Sequence, residues 1–214
     1  MADYKLICCV VNMGDASKVL KTAGKYGIKG GNVSIGKGTV HSRILEFLKI
    51  NEMRKEIVTM TVEAELAAEA INGISKDMAF DKPHHGIAFS FSISGFTDGE
   101  IQMDKNMKVS EVGNPMYSAI YVVVDKGNAE AVIDAANTAG ARGGTIVNAR
   151  GSGIHETQKL FSIEIEPEKE KVFIIAKNEL KDSIVASIRS TLMIDEPGNG
   201  IIFVLDVNEA YGLH

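Results

Sequence analysis

The chain has 214 residues, enough for one or two domains with a core that needs no covalent staples. With 45% hydrophobic and 24% charged residues, and only 4 prolines against 21 glycines, it falls outside the disordered and collagen-like classes. A net charge of -5 gives no general attraction to nucleic acid or an anionic membrane, so an anionic ligand has to be held locally. The longest early apolar run, Leu6–Val11, is far short of the ~20 residues that cross a bilayer. No cleavable leader pattern surrounds it, and the expectation is a cytoplasmic protein without membrane insertion.

That first run reads as a strand and holds both cysteines, Cys8 and Cys9. Adjacent strand residues point to opposite faces and cannot easily form a disulfide, so the pair reads as two small buried hydrophobes. Asp15 can cap the helix that follows, and Gly27 can end it. The stretch Gly31–Thr39 nearly spells a phosphate-binding loop, but Gly38 stands where a hydroxyl would ligate magnesium. It also follows a helix and lies on a strand, the reverse of the context that mechanism needs, and it is rejected.

The whole unit then recurs. Tyr4–Val11 lies over Tyr117–Val124, and Gly27–Val33 over Gly140–Ile146, at an offset of 113 residues. Glu56–Leu66 lies over Glu170–Leu180, and Pro83–Phe89 over Pro197–Phe203, at 114. One residue has been inserted in a loop. Residues 97–115 are polar, carry Gly99, Gly113 and Pro115, and read as a linker between a first domain at 1–96 and a second at 116–214.

In the second domain Ala119–Val124 is β-rich, Asn128 can cap a helix carrying Val132, Ile133 and Ala136, and Gly140 supplies its left-handed end. Thr145–Asn148 begins the next strand, Leu160–Ile165 alternates, and Val172–Ala176 is a continuous apolar strand. Asn178 can cap a second helix with Leu180, Ile184, Ile188 and Leu192 on one face, and Ile201–Val207 closes the unit. The order is βαββαβ, so the fold class is α+β with two tandem ferredoxin-like units. Ile201, Phe203 and Leu205 share one side of the last strand, an apolar surface that predicts association.

The sequence Gly140-Ala-Arg-Gly-Gly-Thr-Ile-Val-Asn-Ala-Arg-Gly-Ser-Gly153, followed by Pro197-Gly-Asn-Gly-Ile-Ile-Phe-Val-Leu-Asp-Val207, resembles the PII nitrogen-regulatory signal-transduction family. The resemblance covers nearly all of the second half and, more faintly, the first. It implies a PII-like homotrimer that binds adenine nucleotides in clefts between neighbouring units and signals through a loop between the second and third strands. The ligand would be ATP, ADP, AMP or a cyclic dinucleotide, with no resident cofactor. The partner would be a transporter or metabolic enzyme, in a nitrogen-metabolism setting. The sequence departs from the family pattern in three places: the loop at Ile154–Lys159 is short and without tyrosine, His155 replaces a glutamine, and Ile201 replaces a phosphate-binding lysine. The family's basic C-terminal tail is replaced by Gly212-Leu213-His214.

The expected ligand-binding residues are Gly151, Ser152, Gly153, Gly198, Asn199, Gly200, Thr145 and Arg150. Glycines let backbone N–H groups approach an anion, Ser152 can donate a hydrogen bond, and Arg150, like Arg142, suits bidentate phosphate contact. The same turn also serves as a tight helix-to-strand connection, and an exposed structural role suits either arginine. Lys29 and Lys37 are the first-half counterparts of the arginines, and Pro83-His84-His85-Gly86 has lost one turn glycine, so the first half is the poorer nucleotide site. His41, His84, His85, His155 and His214 match no compact zinc spacing. Asp195-Glu196 reads as a solubilising pair, and Glu164, Glu166, Glu168 and Glu170 read as the solvated edge of a hairpin. No catalytic constellation appears, and an enzyme is not expected. The rival expectation is a structural or metal-responsive trimer of the same superfamily without nucleotide binding, as in the divalent-cation-tolerance proteins.

Overall fold

The computed structural model describes residues 4–39, 52–93, 115–150, 158–160, 163–165 and 167–213. The first repeat runs β1 (Tyr4–Asn12), α1 (Ala16–Gly24), β2 (Asn32–Thr39), β3 (Glu52–Glu63), α2 (Ala64–Asp77) and β4 (Gly86–Ile93). The second runs β5 (Tyr117–Asp125), α3 (Ala129–Thr138), β6 (Thr145–Arg150), a small hairpin of β7 (Gln158–Leu160) and β8 (Ile163–Ile165), β9 (Glu168–Lys177), α4 (Lys181–Leu192), β10 (Ile201–Val207) and β11 (Glu209–Tyr211). Both repeats are βαββαβ, as the sequence repeat requires. The alternating stretch Leu160–Ile165 is not one strand: Gln158–Leu160 and Ile163–Ile165 pair only with each other, Lys159 opposite Glu164. The third strand of the second repeat is β9 instead. Most of the expected linker lies outside the described residues.

The described residues fall into two compact units whose limits do not follow the repeat. Unit 1 is drawn from Met1–Ile35, Arg54–Tyr117 and Asp206–His214, and unit 2 from Gly36–Met53 and Ser118–Leu205. In unit 1 the strand order is β2-β3-β1-β4-β11. Cys8 of β1 lies opposite Thr59 of β3 and Phe89 of β4, and Ala210 of β11 lies on the other side of Phe89, all antiparallel. Asn208 N–H donates to the Ser90 carbonyl at 2.9 Å and its side-chain oxygen accepts from Ser92 at 3.2 Å, so the C-terminal strand is anchored by more than its ladder.

In unit 2 the order is β10-β5-β9-β6, and β6 runs antiparallel to β9 from Thr145↔Phe173 to Arg150↔Glu168. The end of β2 belongs to this unit, with Lys37 opposite Ile146 and Gly38 opposite Thr145.

Each unit packs its helices on one sheet face over its own core. Ile7, Cys9, Val11, Val58 and Met60 meet Val19, Ile71 and Ile74 in unit 1, and Ile120, Val122, Val172 and Ile174 meet Val132, Ile184 and Ile188 in unit 2. Gly31 and Gly144 occupy matching places where a Cβ would stand 2.7 Å from the Thr59 carbonyl oxygen and 2.9 Å from that of Phe173. Only glycine lets the helix-to-strand connection come that close to the neighbouring strand.

Candidate functional site

Helix starts set the chemistry at one end of each sheet. Asp15 and Asn128 were natural caps by type, but neither side chain caps its helix. The acceptor comes from the neighbouring strand instead. Glu56 Oε2 takes the N–H groups of Gly14 at 3.0 Å and Ala16 at 2.8 Å, and Glu170 Oε2 takes those of Gly127 and Ala129, both at 3.0 Å. A carboxylate at a helix N-terminus satisfies orphan donors and meets the positive end of the helix dipole. Glu170 is therefore not simply the solvated edge of a hairpin, and Glu168 forms an ion pair with Lys126. Asn178 also does not cap: it opens a short 3-10 turn ahead of α4, and its side-chain oxygen accepts from Ser118 Oγ at 2.6 Å.

Next to each capping glutamate stands a lysine. Lys169 pairs with the Asp125 carboxylate in unit 2. In unit 1 the matching Lys55 donates at 2.6 Å to Asn12 Oδ1, a neutral amide, and burial holds its ammonium below the usual lysine range.

The turn Pro197–Gly200 ends α4's connection to β10. Gly198 has φ +96° with open space where a Cβ would stand, whereas Gly200 has φ +140° and a Cβ there would lie 2.5 Å from the Val123 carbonyl oxygen. Asn199 ties the turn down, its side chain donating to the Met193 carbonyl at 3.0 Å and its N–H to that of Glu196 at 3.2 Å. Of the neighbouring Asp195-Glu196 pair, Asp195 is engaged by the Arg189 guanidinium through two 2.9 Å contacts. In unit 1 the matching turn holds His84 at φ +66° and Gly86 at φ +132°. His84 thus adopts the left-handed backbone that its counterpart Gly198 adopts without a side chain.

The structure brings some of the expected residues to one sheet end. Gly200 just before β10, Asp125 and Lys126 at the end of β5, Glu168 and Lys169 at the start of β9, and Arg150 at the end of β6 follow one another across unit 2. Two strands separate the glycine turn from Arg150, about 14 Å at the usual strand spacing. Thr145 is not with them: it is buried at the opposite end of β6, five residues from Arg150. Arg142 and Arg150 are exposed. Gly151, Ser152, Gly153 and the loop with His155 lie outside the described residues, as do His41 and His214. The ion pairs Asp125–Lys169 and Lys126–Glu168, which occupy the gap, were missed in the sequence; the 114-residue correspondence of Lys55 with Lys169 was the signal available. Among the described residues no group of three His, Cys, Asp or Glu side chains could hold a metal ion, and no helix is long and apolar enough to cross a membrane.

The chain is similar to known proteins in its second half. Three solved structures resemble it over part of its length. The Bacillus subtilis GlnK–ATP complex shares 21% identity, covering 45% of this chain and 94% of that one, with a TM-score of 0.36. Arabidopsis thaliana PII bound to citrate shares 25% identity over 44% and 76% of the two chains, with a TM-score of 0.34. A second B. subtilis GlnK structure shares 21% identity over 42% and 84%, with a TM-score of 0.33. No curated protein matches the chain. The family described as Nitrogen regulatory protein P-II matches over residues 117–214. Residues 117–214, which carry the βαββαβ order and the Gly198–Gly200 turn, are thus similar to the P-II nitrogen regulatory family.

Proposed function

We propose that the protein is a PII-like signal-transduction regulator, not an enzyme, that senses an adenine nucleotide in its second domain and regulates a partner protein. The domains are the halves 1–96 and 116–214, joined by 97–115. The family match over 117–214 carries the proposal, supported by a turn whose two glycines hold positive φ at the sheet end where Arg150 also lies. The ligand-binding set is Gly151, Ser152, Gly153, Gly198, Asn199, Gly200 and Arg150, with Thr145 set back on β6. The occupant is ATP, ADP, AMP or a cyclic dinucleotide. Binding changes the surface read by a transporter or metabolic enzyme in the cytoplasm, in proportion to the ligand's preference for one state of the protein over the other. The working form is a trimer.

A second reading has an observation of its own. Gly200 is required by close packing on Val123, which suits a purely structural turn in a trimer without nucleotide, one that responds to metal if to anything. Thermal unfolding decides between them. A nucleotide at 100 times its Kd stabilises by about 2.7 kcal/mol, and Gly198→Val abolishes that gain while His85→Ala keeps it. No shift with any of the four nucleotides, together with a shift on adding divalent metal, establishes the second reading.

A further inference from the structure

A ligand that touches both the Gly198–Gly200 turn and Arg150 crosses the ends of β5 and β9, where the pairs Asp125–Lys169 and Lys126–Glu168 stand side by side. The two pairs differ in kind. Lys169 is largely buried, its side chain 12% exposed, and its bond to Asp125 has a counterpart in the first repeat, where Lys55 donates to Asn12. This inner pair belongs to the fold. In the outer pair Lys126 is 57% and Glu168 56% exposed, and the first repeat places Met13 and Arg54 at the matching positions. Methionine and arginine form no ion pair, so the same strand ends assemble without one, as expected of an exposed pair that adds little stability.

The backbone fixes where these groups stand. The Lys126 N–H donates to the Glu168 carbonyl at 3.2 Å, and Arg150 lies directly opposite Glu168 in the β6–β9 ladder, so the Glu168 and Arg150 side chains leave the same sheet face. The hydrogen bond and charge of Lys126, and then the charge of Arg150, hold the Glu168 carboxyl below the usual carboxylate range. Arg150 makes no hydrogen bond or ion pair of its own among the described residues. One carboxylate therefore faces two cations, and one positive charge is left over. A phosphate dianion matches both and brings more acceptor oxygens. We propose that Glu168 is an internal competitor for the ligand's phosphate: its carboxylate holds the place beside Lys126 and Arg150 that a phosphate takes on binding. Lys126 is then a ligand-binding residue, and Glu168 sets the affinity and the preference for a doubly charged group, because a ligand with a single carboxylate gains nothing over Glu168. The identity of the ligand rests on the nucleotide reading above; the exchange of carboxylate for phosphate does not.

Calorimetric titration of the full chain at fixed ionic strength, with ATP and separately with pyrophosphate, compares wild type with Glu168→Gln. Both side chains of the pair are exposed, so the substitution leaves the buried contacts in place. The expected result is roughly fivefold tighter binding of both probes by Glu168→Gln, the size of an exposed ion pair no longer to be broken. Adenosine, which has no phosphate, gains nothing, and adding Lys126→Gln to Glu168→Gln removes the gain. Glu179→Gln deletes an exposed negative charge at the opposite end of β9 and leaves binding as in wild type. Equal tightening in Glu179→Gln overturns the proposal in favour of a general effect of net charge. Unchanged or weaker binding by Glu168→Gln also overturns it, and leaves the nucleotide reading standing where ATP still binds. Tighter pyrophosphate binding by Glu168→Gln, with no binding of ATP to either chain, keeps the proposal and removes the nucleotide. Failure of both probes to bind either chain overturns both.

Discussion

At the scale of single residues, both helices that follow the first strand of a repeat are started by a carboxylate some forty residues away in sequence. Glu170→Ala leaves the Gly127 and Ala129 N–H groups without their acceptor and lowers stability by about 2 kcal/mol, while Glu170→Gln, which keeps one oxygen, costs about half as much. Urea denaturation of the two variants checks the ranking, and equal loss would show that the charge and not the oxygen matters. Lys55 gives a pH signature. Its proton is held less tightly in the fold than in the unfolded chain, so the unfolded chain binds more protons and stability rises with pH from the lowered value up to 10.5. Lys55→Met removes that slope; unfolding curves at about pH 8 and about pH 10 measure it, and parallel behaviour of the two proteins would sink the assignment. The cysteine thiols are both pushed up by burial, Cys8 to about 12, so neither reacts with a thiol reagent at neutral pH until the chain unfolds.

At the scale of elements, the turns before β4 and β10 separate two uses of glycine. Gly200→Ala drives a Cβ against the Val123 carbonyl and costs about 3 kcal/mol, whereas Gly198→Ala meets only the positive-φ penalty of about 1 kcal/mol. The converse holds in unit 1: His84→Gly relieves a left-handed histidine and stabilises by about 0.5 kcal/mol after the entropy of the added glycine. Thermal melts of the three variants give the order. The repeat made the element order, the helix-ending Gly27 and Gly140, and the buried strand cysteines legible, because each is set by local periodicity or by a backbone conformation that glycine favours. The caps were misread for the opposite reason. Asp15, Asn128 and Asn178 are the right residue types in the right places, but a strand glutamate reaches two of these helix starts and Ser118 occupies the Asn178 oxygen, long-range contacts that no local pattern encodes. The short hairpin at 158–165 was invisible because three-residue strands carry too few alternations to mark a turn.

At the scale of the whole molecule, unit limits depart from repeat limits, and a truncation exposes the difference. Removing residues 208–214 strips β4 of its outer ladder partner and of the Asn208 anchor, so amide exchange in Ala88–Ser90 should quicken while β9 in unit 2 keeps its protection. Unchanged exchange in β4 would mean that β11 contributes nothing to holding that edge. The placement of Asp206–His214 in unit 1 also bears on how the protein is made. A ribosome delivers the amino-terminal part of a chain first, and a domain contiguous in sequence can complete itself while the rest is still being synthesised. Here the outermost strand of the first-born unit is translated only after Ser118–Leu205, the main stretch of unit 2. Nascent chains therefore hold β4 bare until Glu209–Tyr211 has been made, a slow closure of high sequence separation during which chaperone capture of that strand becomes the decisive competitor of folding.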